Sequence, residues 1–173
     1  ANPNELGKYS PMWITVGTGN ISYLETLVEF GGDVSMGEGT LLHGAMGKTV
    51  TGEFDPAVPA LLIKHGADVN VVTGDGQTPL MVAAIKGNHL SAQLLIDAGA
   101  NVNQAQPGGE TALTWAFYKH HKEVVDVLLS NNADLDELLM SDRGSNVVWH
   151  AADIGSANVV STYYQLGNTD FPA

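Results

Sequence analysis

Hydrophobic residues fall in short runs along the chain, and each run closes on the same kind of stop. "LVEFGG" (27–32), "LIKHGA" (62–67), "LIDAGA" (95–100), "LLSNNA" (128–133) and "YYQLGN" (163–168) all end on Gly or Asn. These are the residues that take the left-handed conformation after a helix. The stops are Gly31, Gly66, Gly99, Asn132 and Gly167, spaced 35, 33, 33 and 35 apart. Upstream of each run stands a residue whose side-chain oxygen can cap a helix N-terminus: Ser10, Thr40, Thr78, Thr111 and Asn146. Pro11 and Pro79 follow two of them, at the first helical position, where a missing N–H costs nothing. Start-to-stop distances are 21, 26, 21, 21 and 21 residues. A second break divides the units at Gly19, Gly87, His120 and Gly155. The pattern predicts a short helix, a tight turn, a longer helix and a loop of roughly a dozen residues in each unit. Neither helix buries its apolar side alone. Stacked neighbours do, so the expected architecture is an all-α solenoid.

The repeat is also visible in residue identities. "GQTPLMVAAIKGN" (76–88) and "GETALTWAFYKHH" (109–121) share Gly, Thr, Leu and Ala at a spacing of 33. "DGQTPLMVAAIKGNHLSAQLLIDAGANVN" (75–103) closely resembles an ankyrin repeat. Segments 39–70, 109–136 and 144–168 are related units, and "YSPMWITVGTGNISYLETLVEFGGDVS" (9–35) is a divergent first one. The resemblance implies one ankyrin-repeat domain over 1–173, with repeats at about 7–35, 37–70, 73–105, 106–138 and 141–170. Two departures stand out. Unit 2 has five extra residues between its helices, within 46–56, and the loop at 137–144 is two residues longer than its counterparts. Insertions in a solenoid map to loops and often to contact surfaces.

Charge narrows the partner classes. The chain has 19 acidic and 7 basic residues, a net charge of −12. Nucleic acid is a poor partner, because binding it rests on clustered Lys and Arg. An acidic membrane surface is disfavoured for the same reason, and no apolar run approaches the ~18 residues needed for membrane insertion. There is no cysteine, which removes disulfides, zinc ribbons and thiol nucleophiles. The first residue is Ala, and no apolar leader follows it. That reads either as a processed mature chain, exported or organellar, or as a trimmed one, and it leaves the compartment undecided, the cytoplasm included.

The chemical motifs are weak. "AMGKT" (45–49) lacks the glycine that a phosphate loop needs, since position 42 is Leu. "GEGTLL" (37–42) fails the dinucleotide pattern. Among His43, His65, His89, His120, His121 and His150, no pair has metal-ligand spacing with a nearby carboxylate. His65 adjoins a helix stop, and His89 is expected in the short turn after Gly87. "DLDE" (134–137) reads as a solvated loop, and "NIS" (20–22) is a glycosylation sequon. No metal, cofactor or catalytic residue is expected. Resemblance to ankyrin repeats gives His43 a structural hydrogen bond and puts His121 in a "GH" turn. It also makes Asn70 and Asn103 the positions at which family members can be hydroxylated. His120 stands where the other units put Gly, so it is expected in a left-handed conformation.

In the ankyrin fold the first helices and loop tips line a concave face; this is what the resemblance implies. Residues four, seven and eight past each N-cap share a helical face. They are Ile14, Gly17, Thr18; Gly44, Gly47, Lys48; Val82, Ile85, Lys86; Trp115, Tyr118, Lys119; and His150, Asp153, Ile154. Lys48, Lys86 and Lys119 form a row, three of the seven basic residues. Val82, Ile85, Trp115 and Tyr118 add an apolar and aromatic group of the kind enriched at binding hot spots. Loop tips contribute Asp75, Gln77, Glu110, Asp142 and Arg143. The expected partner is another protein, gripped across this face. Two alternatives are a subunit of a larger complex docked through its terminal repeats, motivated by "YYQLGNTDFPA" (163–173), and an enzyme using His120, His121 or His150. The second has no nucleophile, base and orienting group to build on.

Overall fold

The computed structural model describes residues 10–35, 41–48, 52, 54–135, 151–153 and 155–165. The helices come in pairs: α1 (Pro11–Thr18) with α2 (Ile21–Glu29), α3 (Leu41–Ala45) with α4 (Ala57–Lys64), α5 (Pro79–Lys86) with α6 (His89–Asp97), and α7 (Ala112–Tyr118) with α8 (Lys122–Ser130). A last pair consists of helical residues 151–153 and α9 (Ala157–Gln165).

Local chemistry fixes the ends. Ser10, Thr78 and Thr111 are N-caps in extended conformation, their hydroxyls accepting the N–H of Trp13, Met81 and Thr114. Gly19, Gly87 and Gly155 take positive φ at the inner breaks, and Gly31, Gly66, Gly99 and Asn132 do so at the outer stops. His120 takes φ of 59° as its register requires. Thr40, Asn146 and Gly167 lie outside the described residues. His89 differs from expectation. It is the first residue of α6 and not part of the turn, because Asn88 caps that helix by accepting the Ser91 N–H at 3.0 Å.

First helices pack on first helices, α1 on α3, α3 on α5 and α5 on α7. Behind them α2 meets α4, and α8 lies between α6 and α9. Leu24, Leu42, Leu62, Met81, Leu95, Val125, Leu128 and Val159 make one continuous core along the stack. Each such side chain contributes roughly 1.5–3 kcal/mol of burial. Ala83, Ala84 and Ala116 are fully buried, and their small size lets α5 and α7 approach closely. The insertion in unit 2 separates α3 from α4 over 46–56, where other pairs turn in two or three residues.

Polar bridges lock successive repeats. His43 Nε2 donates to the Gln77 carbonyl at 3.0 Å, and His121 Nε2 to the Ile85 carbonyl at 3.1 Å. A carbonyl only accepts, so both rings carry their proton on Nε2. Asn70 donates to the Gly99 carbonyl and accepts the Asn101 N–H at 2.7 Å. One repeat on, Asn103 does the same with the Asn132 carbonyl and the Asp134 N–H. At the last seam the Asp126 carboxylate accepts from Lys122, Ser156 and Asn158.

Candidate functional site

The first-helix layer begins from the loops that precede it. Residues 73–77 and 106–110 form two equivalent tips, each closed by a pair of backbone bonds. Thr73 N–H reaches the Gln77 carbonyl at 3.0 Å, and Gln106 N–H the Glu110 carbonyl at 2.9 Å. Pro107 rides on Gly76 of the preceding tip, where an added Cβ would fall 2.7 Å from its Cδ. Asp75 is exposed, and its carboxylate accepts the Thr73 hydroxyl. Gln77 and Glu110 are half-buried.

Trp115 is the best-anchored aromatic of this face. It is half-buried against the core, and its indole N–H donates to Gln106 Oε1 at 2.7 Å. Gln106 in turn donates through Nε2 to the Asp75 carbonyl at 3.0 Å. One side chain thus ties the indole to both tips and holds its rotamer. Tyr118 and Val82 are also half-buried against the core, and Ile85 is half-buried on α5. Phe117 meets Tyr118 edge to face, with ring centroids 6.2 Å apart.

The lysines occupy the opposite end of the same helices. Lys86 is the last residue of α5, and Lys119 is the C-cap of α7. Both are exposed, and neither ammonium group has an ion-pair or hydrogen-bond partner among the described residues. Lys48 differs. It follows α3, and its Nζ lies 5.3 Å from the centroid of Phe54, in the insertion of unit 2. Gly44 is no open groove position either, since the Trp13 indole covers it and leaves no room for a Cβ. His150, Asp142 and Arg143 lie outside the described residues.

The histidines serve the stack. Burial pushes His43 below the ordinary histidine range, against the Gln77 carbonyl and the Asp75 carboxylate, which favour its cation. His121 is the N-cap residue of α8 but makes no side-chain cap; its ring crosses instead to α5. His120 Nδ1 lies 3.4 Å from Asp153. Asp126 is half-buried. Desolvation raises its pKa, but the bonds from Lys122, Ser156 and Asn158 outweigh it and hold the carboxyl below the usual range. Among the described residues, no group of His, Asp and Glu is arranged to hold a metal ion. No described helix is long and apolar enough to cross a membrane.

Sequence reading missed Gln106, whose partners lie nine and thirty-one residues away. It also missed two exposed aromatic residues of the first repeat. Phe30, the C-cap of α2, is 79% exposed, and Tyr23 on α2 is 47% exposed.

Paired helices, equivalent hairpin tips and polar bridges repeating near 33 residues define a helical repeat protein of the stacked kind. Ankyrin repeats, in three copies, match residues 48–138, more than half of the chain. The chain belongs to the ankyrin-repeat family. No curated protein matches it. Ankyrin repeats are generally protein–protein interaction modules, typically without enzymatic activity.

Proposed function

We propose that the chain is a non-enzymatic protein-binding module of five stacked repeats spanning 1–173. It grips another protein across its concave face and loop tips. Trp115 carries this reading. A half-buried indole held by Gln106 offers a rigid apolar surface in the first-helix layer. A side chain already fixed before binding loses little entropy on contact. Tyr118, Ile85 and Val82 widen the patch, and Lys86 and Lys119 set orientation and encounter rate. Trp115→Ala combined with Tyr118→Ala is expected to abolish capture of the partner from the native source while the helical circular dichroism spectrum is kept. Undiminished capture by the folded double variant contradicts the reading.

A second reading has its own observation. Tyr23 on α2 and Phe30 at its C-cap stand exposed, and Tyr164 is exposed on α9, edge to face with Tyr163 at 5.7 Å. Such residues at the ends of the stack suit a subunit docked through its terminal repeats. Tyr23→Ser with Phe30→Ser would then remove the chain from a native complex that Trp115→Ala leaves intact. A chain absent from any native complex removes this reading.

A further inference from the structure

Among the described residues, the two layers of helices differ in charge across the first four repeats. α1, α3, α5 and α7 contain no Asp or Glu, and Lys48, Lys86 and Lys119 stand at or beyond the ends of three of them. The second helices carry Glu25, Glu29, Asp97, Glu123 and Asp126, against Lys64 and Lys122. Lys122 has a carboxylate neighbour in Asp126, whereas Lys64, Lys86 and Lys119 have none among the described residues, and of these three only Lys86 and Lys119 lie side by side on the first-helix layer. The acidic residue of the first-helix layer in the next repeat, Asp153, is engaged by His120. At the other end of these helices stand Asp75 and Glu110, some 12 Å away along an eight-residue helix.

We propose that the partner segment seated on this face is acidic. It lays an apolar side chain on Trp115 and Tyr118 and directs two carboxylates to Lys86 and Lys119. This rests on the reading of the concave face as the binding surface and specifies what occupies it. The two lysines occupy equivalent positions on adjacent packed helices, about 10 Å apart. Carboxylates at i and i+3 of a polyproline-II segment, which rises ~3.1 Å per residue, span that distance on one side of the chain. The carboxylates of α2, α6 and α8 repel the same segment, so complementarity also selects the face.

The test uses the full chain labelled with 15N and three pools of ten-residue peptides sharing one leucine anchor. The pools are acidic with carboxylates three apart, neutral, and basic. The acidic pool is expected to shift amides of α5 and α7, with affinity falling as salt rises. Lys86→Ala with Lys119→Ala should weaken it about fivefold, the range of two exposed ion pairs. Equal or stronger shifts of α5 and α7 from the neutral or basic pool overturn the acidic assignment and leave the concave face standing. No shift of α5 or α7 by the acidic pool also overturns the assignment. Shifts confined to α6 and α8 overturn the choice of face as well.

Discussion

Gly87 is where the seam between the third and fourth repeats is most exposed to test. Its φ is +75°, and an added Cβ would fall 2.7 Å from His121 Nδ1. Gly87→Ala therefore carries two costs. The left-handed backbone costs an alanine ~1–2 kcal/mol. Displacing the imidazole breaks the bond from His121 Nε2 to the Ile85 carbonyl, a further ~1 kcal/mol. The sum is roughly 2–3 kcal/mol. Gly99 supplies the control, with φ of +91° and nothing within 4 Å of the added Cβ, so Gly99→Ala should cost only the backbone share. Both variants gain the same small benefit from a stiffer unfolded chain. Urea unfolding followed by circular dichroism measures each, with the m-value checking that a single transition persists. In a His121→Ala background the cost of Gly87→Ala should fall to that of Gly99→Ala, a coupling of about 1 kcal/mol. An identical loss in both backgrounds refutes the assignment of His121 as the group that Gly87 makes room for.

Asn103→Asp keeps the acceptor for the Asp134 N–H but loses the donor to the Asn132 carbonyl, and is expected to cost ~1–2 kcal/mol in the same unfolding assay. The His43 ring, held below the ordinary value of 6.5 by burial, should titrate below that pH by NMR. Because the unfolded chain binds the proton first, His43 makes stability fall as pH drops through 6.5, and the loss levels off below the folded value. A titration above 6.5 contradicts this. Asp126, held low, acts in a separate window: its contribution is full above 3.8 and is lost as pH falls through its folded value. Asp126→Asn should flatten stability against pH in that acidic range. His120→Gly relieves the left-handed strain at φ of 59° while giving up the exposed contact with Asp153, and the backbone term is expected to dominate, with a gain of up to about 1 kcal/mol in thermal denaturation.

The parts of the fold that sequence reveals are those whose chemistry is local. Thr78 and Thr111 cap because the acceptor and the N–H lie three residues apart. His120 is legible as a left-handed residue because its register matches Gly87. Helical spacing also tells which side of α7 carries Trp115 and Tyr118. It does not tell what holds them. Gln106 joins the indole to a carbonyl in the preceding tip, and that meeting exists only once two repeats are stacked. The same holds for Lys48. Register aligns it with Lys86, yet the insertion brings Phe54 beneath it. Phe30 closes the apolar run before Gly31, and its exposure at the C-cap of α2 is visible only in the folded chain.

The most direct measurement of the central claim is site-specific photocrosslinking in the native source, with the reactive side chain placed at Tyr118 on α7 or at Asp97 on α6. The account predicts a protein adduct from position 118 that position 97 does not form. An adduct formed from position 97 and absent from position 118 contradicts it.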